Sequence, residues 1–135
     1  MITTFAGEFR FLSNFYPVRV SLDGVEYPSV ENAYQAAKTL EMEQRKQFEK
    51  CGASTAKQLG GKLQLRSDWE NVKISIMKDL LVQKFSIPTL SNALASTKPH
   101  ELIEGNWWGD RFWGVCRGVG RNELGKLLME IRGPN

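Results

Sequence analysis

The stretch SVENAYQAAK, Ser29 to Lys38, decides how the chain is read, because the pattern turns helical there. Pro28 precedes it, and Ser29 is a residue type that caps the first free N–H groups of a helix. A helix of about ten residues is expected to follow. Val30, Ala33 and Ala37 recur at helical spacing and form an apolar stripe. Glu31, Gln35 and Lys38 stand at i, i+4 and i+7 and form a second, polar stripe, with Tyr34 between the two. Glu31 lies in the first turn, where the helix dipole favours an ionised carboxylate. Lys38 is two turns further on, about 10.5 Å along the axis, beyond the usual i, i+4 ion pair. Mutual pairing therefore does not account for the stripe. Two readings stay open: a solvated face of a surface helix, or the floor of a site in which a lysine and a carboxylate bracket a small ligand.

Upstream, the chain is punctuated by Gly7, Asn14, Pro17, Asp23-Gly24 and Pro28. VRVSL alternates apolar and polar residues and VEY follows the Asp-Gly pair, so Val18–Leu22 and Val25–Tyr27 are expected to form a hairpin. Downstream, Glu41–Cys51 reads as a charged helix ended by Gly52. Ser54 reads as the cap of another short helix, weakened in its middle by Gly60-Gly61. Ser67-Asp68-Trp69-Glu70 has the form of a capping box. It opens the longest helix, to about Ser86, with Trp69, Val72, Ile76, Leu80 and Lys84 along one side. Pro88 breaks that run, and Thr89–Ser96 makes a further short helix. Leu102–Glu104 and Phe112–Val115 read as short strands around a loop rich in Gly and Trp. Asn122 is expected to cap a last helix, ELGKLLMEIR, whose Leu124, Leu127, Leu128 and Ile131 have core spacing and which Gly133 and Pro134 close. The expected class is α+β: a mainly helical, compact single domain over residues 1–135, with a small antiparallel sheet from the two ends of the chain.

Composition agrees with that size. With 41% hydrophobic and 24% charged residues the chain has the make-up of a soluble globular domain, long enough to bury a real core. No run approaches the roughly 18 apolar residues of a membrane span, and MITTFAGEFR lacks the basic flank and apolar stretch of a signal peptide. Cys51 and Cys116 are far apart and lack metal-ligand spacing, so a reduced cytoplasmic protein with free thiols is expected. The net charge of +3 is compatible with an anionic ligand and too small to argue for nucleic-acid binding by itself.

The common catalytic signatures are absent from the sequence. A single histidine, His100, beside Pro99, does not make a His-rich metal site. There is no GxxxxGK[ST], no GxSxG and no CxxC. What stands out instead is EGNWWGDRFWGV, Glu104 to Val115, with Trp107, Trp108 and Trp113 among glycines, an asparagine and Asp110. It reads either as an aromatic plug at one end of the domain or as a stacking wall for a planar ligand. FLSNFYP, Phe11 to Pro17, places Asn14 among large apolar residues. The side chain there either satisfies its own turn or presents an amide to a sugar or base.

Four blocks, GEFRFLSNFYP, YPSVENAYQAAK, GNWWGDRFWGV and GRNELGKLLMEIR, resemble the NADAR family, also called YbiA-like, in order and over essentially the whole chain. The resemblance implies an N-glycosidase with one of two substrate classes. One is the phosphoribosylamino intermediates of riboflavin biosynthesis. The other is ADP-ribose joined to guanine, with DNA as a carrier. Glu31 matches the acidic residue of the family's (S/T)VE helix and Lys38 its QAxK lysine. Asn14 matches the SNF asparagine, and Asp110 and Trp113 match the DxxWG block. The chain departs from many YbiA-type members at Val115, where they carry an acidic residue, and in the short segment from WG to GxN.

By this resemblance Glu31, Lys38 and Asp110 are the expected catalytic residues. Arg10, Asn14, Phe15, Tyr34, Gln35, Trp107, Trp108 and Trp113 are expected to bind substrate, with Arg10 assigned to a phosphate. Cleaving a ribosyl C–N bond builds positive charge at the anomeric carbon, which an ionised Glu31 stabilises while it orients the attacking water. Lys38 serves either as an ammonium partner of a phosphate or leaving group, or, if desolvated, as a nucleophile forming a transient imine. The scheme requires no metal or organic cofactor and no membrane. Its partner is a phosphoribosyl or ADP-ribosyl substrate. The competing classes are a non-catalytic module that binds nucleotides or ADP-ribose, and an interaction protein that uses the Trp loop as its contact surface.

Overall fold

The Asp23-Gly24 pair makes the first sharp reversal. Both residues hold positive φ, 50° and 83°, as the two central positions of a type I′ hairpin turn require. The turn joins β1 (Pro17–Leu22) to β2 (Val25–Ser29), antiparallel, with Val20 opposite Tyr27 and Leu22 opposite Val25. Ser29 ends β2 in extended backbone and accepts a hydrogen bond from the Asn32 amide at 3.0 Å, so helix α1 (Val30–Ala36) starts there as expected. The structure, a computed structural model, describes residues 1–134. It is α+β and mainly helical, with this one small antiparallel sheet.

Backbone proximity divides the chain into two compact units: Met1–Ser13 with Phe85–Asn135, called here the first unit, and Asn14–Lys84, the second. The second unit holds the hairpin, α1, α2 (Met42–Arg45), a 3-10 turn (Lys46–Phe48), α3 (Ala53–Gly60) and α4 (Trp69–Lys84). Met77, Leu80 and Leu81 of α4 are almost wholly buried, each contributing about 2 kcal/mol. Gln83, on the same helix, binds both the N–H and the C=O of Ser21 at 2.7 and 2.8 Å and so ties α4 to the hairpin.

The helix expected over Glu41–Cys51 is short and broken. The Asn32 amide donates to the carbonyls of Phe48 and Cys51, both at 2.9 Å, and withdraws them from a helical ladder. Ser54 lies inside α3, where Gly52 holds the cap position. Gly60-Gly61 ends that helix instead of interrupting it. Glu70 turns its carboxylate to Lys73, at 2.9 Å. The long helix stops at Lys84, two residues earlier than expected.

In the first unit α5 (Pro88–Ala95) begins with Pro88 in its first turn, where the missing N–H costs nothing. A parallel bridge pairs Ile2 with Leu102. Two-residue strands β3 (Gly105–Asn106) and β4 (Val115–Cys116) also pair in parallel. The small antiparallel sheet is present as expected, but it is the local hairpin and not a pairing of the two chain ends. Asn122 corrects another expectation. It precedes α6 (Glu123–Arg132) but makes no side-chain cap. Its amide instead accepts from the Glu104 N–H at 3.0 Å and donates to the Leu102 carbonyl at 2.9 Å, fixing the strand-like segment beside it. Leu124, Leu127 and Leu128 of α6 are buried, as their spacing predicts. Both cysteines are free thiols, and no helix among the described residues is long and apolar enough to cross a membrane.

Candidate active site

Every residue of α1 is buried. The polar stripe is therefore no solvated face: Glu31 is 8% exposed and Gln35 5%. Removing an ionisable group from water opposes folding unless partners compensate, and the partners are specific. The Gln35 amide donates to a Glu31 carboxylate oxygen at 2.6 Å. The Glu31 N–H donates to the carbonyl of Asn14 at 3.0 Å, so the SNF segment is anchored to the first turn of α1. The Gln35 carbonyl oxygen is buried, with no hydrogen-bond partner, and lies against Gly60 of α3. A Cβ at position 60 would occupy the place of that amide. Gln35, expected to touch substrate, is thus gripped between Glu31 and Gly60 and fixes the orientation of the carboxylate.

Asn14 is also buried. Its side-chain N–H lies 3.5 Å from the Met77 sulfur, and its side-chain Oδ1, unlike its backbone carbonyl, has no hydrogen-bond partner. That leaves an acceptor beside Glu31 for a ligand hydroxyl or N–H. Tyr34 is buried with its ring tilted on Trp69, centroids 5.1 Å apart, and the Lys38 ammonium lies 5.9 Å from the Tyr34 ring centre. Lys38 itself is half-buried. Burial pushes its pKa below the ordinary lysine value; the Glu31 charge pulls it back up, and Lys73 and Lys57 push it further down. The site is consequently a carboxylate held by an amide, coupled to an amine whose pKa burial lowers from the ordinary lysine value.

Lys57 and Lys73 were not singled out in the sequence, where each reads as one more charged residue on a helix. The Lys57 ammonium lies 6.0 Å from the centre of the Phe15 ring. Lys84, assigned to the apolar side of α4, is fully buried, 5.5 Å from the Tyr16 ring, with burial pulling its pKa down to about 7. A cavity of about 420 Å³ opens immediately after Lys38, lined by Thr39, Leu40, Glu41, Lys62 and Arg66 among others.

The remaining expected residues belong to the first unit. Arg10 lies exposed on a 3-10 turn, Gly7–Leu12. The tryptophan loop is braced from within. Asn106 accepts from the Asp110 N–H at 3.0 Å and donates to the Asp110 carbonyl at 2.8 Å. One Asp110 carboxylate oxygen accepts the N–H groups of Phe112 and Trp113, at 3.1 and 2.9 Å. Asp110 therefore shapes the loop, in the manner of an aspartate turn. Trp107 and Trp108 stand exposed, at 83% and 47%, edge to face. Trp113 is half-buried against Phe112. Among the described residues no group of three His, Cys, Asp or Glu is placed to hold a metal ion.

A mainly helical α+β protein with a buried carboxylate–amide pair and a half-buried lysine just past the end of the same helix is the class that fold and site define. Residues 4–134 match the NADAR domain family, through both units, and the chain belongs to that family. It is 34% identical over 125 residues to N-glycosidase YbiA of Escherichia coli (strain K12), covering 89% of this chain and 78% of that protein. It is 37% identical over 127 residues to a riboflavin biosynthesis protein of Vibrio vulnificus, covering 90% of this chain. The chain spans about a third of the Vibrio protein's length, 34%, and 23% of a maize chloroplastic riboflavin biosynthesis protein to which it is 33% identical over 144 residues, 92% of this chain. The NMR structure of E. coli YbiA superposes with a TM-score of 0.83 at 31% identity, covering 98% of this chain and 84% of that one.

Proposed function

We propose that the protein is an N-glycosidase that hydrolyses a ribosyl C–N bond. The observation that carries the reading is the Glu31 carboxylate, buried, held by Gln35 at 2.6 Å and neighboured by the desolvated Lys38 amine. Family membership and the N-glycosidase name of the E. coli relative support it.

As the bond from the anomeric carbon to nitrogen lengthens, its electron pair leaves with the nitrogen and the sugar acquires oxocarbenium character. A fixed carboxylate in a dry site stabilises that charge without reorganising. Glu31 then takes the proton of the water that attacks the anomeric carbon. The lowered Lys38 pKa supports a nucleophilic route in place of direct water attack. The neutral amine displaces the nitrogen at the anomeric carbon, and one amine proton passes by way of Glu31 to the departing nitrogen. The remaining N–H proton moves to the ring oxygen as the ring opens to an imine. Water activated by Glu31 then hydrolyses the imine to the sugar aldehyde and the free amine. The alternative is an ammonium that protonates the departing nitrogen. The unpartnered Asn14 Oδ1 is assigned to a sugar hydroxyl. All of these residues lie in the second unit.

Two substrates fit this chemistry, a phosphoribosylamino-pyrimidine and guanine-linked ADP-ribose on DNA. The names of the Vibrio and maize relatives favour the first. The departure at Val115 favours keeping the second. Incubating each with the pure protein and with Glu31→Gln, and following release of the free amine or base by chromatography, tests the reading. Release from one substrate, lost in the variant, is expected. No release from either would turn the reading toward a nucleotide-binding module.

A further inference from the structure

On the glycosidase reading, one part of the substrate still lacks a partner. A phosphorylated ribosyl group carries its ester at the end of the sugar away from the anomeric carbon. If that carbon meets Glu31 and Lys38, the dianion must come to rest away from the carboxylate, where a cation awaits it.

Lysines from two further helices flank the α1 stripe. Lys57 stands one turn before Gly60, the residue against which the Gln35 amide packs, so it shares the α3 face turned to α1. Lys73 stands one turn after Trp69, whose ring meets Tyr34 of α1. Lys73 is largely buried and engages Glu70 at 2.9 Å. Lys57 is exposed, and its ammonium lies 6.0 Å from the centre of the Phe15 ring, itself 41% exposed. Phe15 directly follows Asn14, whose carbonyl holds the Glu31 N–H. The Lys57 ammonium thus sits over a partly open ring one residue along the chain from the carbonyl that holds the start of α1, and its charge acts on the half-buried Lys38. A lysine is a compact point charge suited to a phosphate, and an aromatic face holds its stem and head in place.

The geometry points to Lys57 as a phosphate subsite of this site, selecting ribosyl substrates that carry a phosphate ester over those that do not. Lys73, largely buried and paired with Glu70, adds to the positive field without reaching the ester. Arg10 has no part in the assignment.

The test uses ribose 5-phosphate and ribose as probes, with binding read by isothermal titration to the whole chain. Wild type is compared with Lys57→Ala and with Lys62→Ala, an equal change of charge on a lysine that lines the cavity beyond Lys38. Wild type is expected to prefer ribose 5-phosphate. Lys57→Ala should cut that preference about tenfold, the scale of one charge-assisted contact, and Lys62→Ala should leave it in place. Melting temperatures confirm that both variants fold. A preference that survives Lys57→Ala, falls equally in Lys62→Ala, or is missing from wild type would overturn the assignment. The release assay separates this from the reading it rests on. Release with an unchanged preference in Lys57→Ala removes the subsite alone. A Lys57-dependent preference without release removes the glycosidase alone.

Discussion

Glu31, Asn32 and Gln35 lie buried on α1, whereas Trp107 and Trp108, among the largest apolar side chains in the protein, stand in solvent. Each region reverses the usual sorting of polar and apolar groups, and each is held in that state by different means. On α1 the burden falls on tertiary partners: Gln35 for the Glu31 carboxylate, Gly60 for Gln35, and the Asn14 carbonyl for the helix start. In the tryptophan loop the bracing side-chain bonds are internal, among Asn106, Asp110 and the amides of Phe112 and Trp113. The stripe therefore depends on α3 and on the segment before β1, and a distant substitution can disturb it. The loop's side-chain bonds are local, residues 121–124 add backbone bonds to the carbonyls of Arg111, Phe112, Trp113 and Gly114, and the exposed Trp107 ring stands outside that frame.

The largest effect that would sharpen this contrast is chemical. Lys38→Met is expected to lower kcat about 10³-fold. Borohydride added during turnover should leave a sugar adduct on the wild-type chain, seen by mass spectrometry, and none on the variant. An active Lys38→Met enzyme would contradict the role given to the amine.

Lys84 tests the cost of burying a cation. Its folded pKa, about 7, lies below the ordinary value of 10.5. The folded state thus binds the proton less tightly than the unfolded chain does, and the penalty is fully present below pH 7. Stability should rise as the pH climbs from about 7 towards 10.5, by an amount on the order of a few kcal/mol. Urea unfolding at several pH values should show that rise in wild type and a flatter profile in Lys84→Met. Equal slopes would contradict it.

Gly60→Ala acts through geometry. Its new methyl displaces the Gln35 amide, so about 1–3 kcal/mol of stability should be lost, and kcat should fall about tenfold while KM changes little. An unchanged kcat would mean that Gln35 does not set the carboxylate. Smallest is Trp107→Ala, which should leave unfolding free energy within about 0.5 kcal/mol of wild type. A larger loss would show that the exposed ring helps hold the loop.

Much of this organisation was legible in the sequence. The Asp-Gly turn, the Ser29 cap, the long helix from Trp69 and the leucine face of the last helix all follow from local chemistry, and all are present. What local chemistry could not supply was the fate of side chains with partners far along the chain. Asn122 looks like a cap until Leu102 and Glu104 are placed beside it. The Glu41–Cys51 pattern looks helical until Asn32 takes its carbonyls. Glu31 and Lys38 were visible as a pair that no helix pairing explained. Their burial, and Lys57 and Lys73 beside them, required α3 and α4 to be folded against α1. Gly60, read in the sequence only as a weak point of its helix, is where α3 admits the Gln35 amide.

On the proposed mechanism the buried carboxylate of Glu31 stabilises the transition state and not merely the bound ligand. The most direct test measures, for wild type and Glu31→Gln, both the dissociation constant of the cleaved substrate and its single-turnover rate. Glu31→Gln is expected to keep a dissociation constant within a few-fold of wild type and to lose about 10²–10³-fold or more in rate. A variant that binds and cleaves like wild type would contradict it.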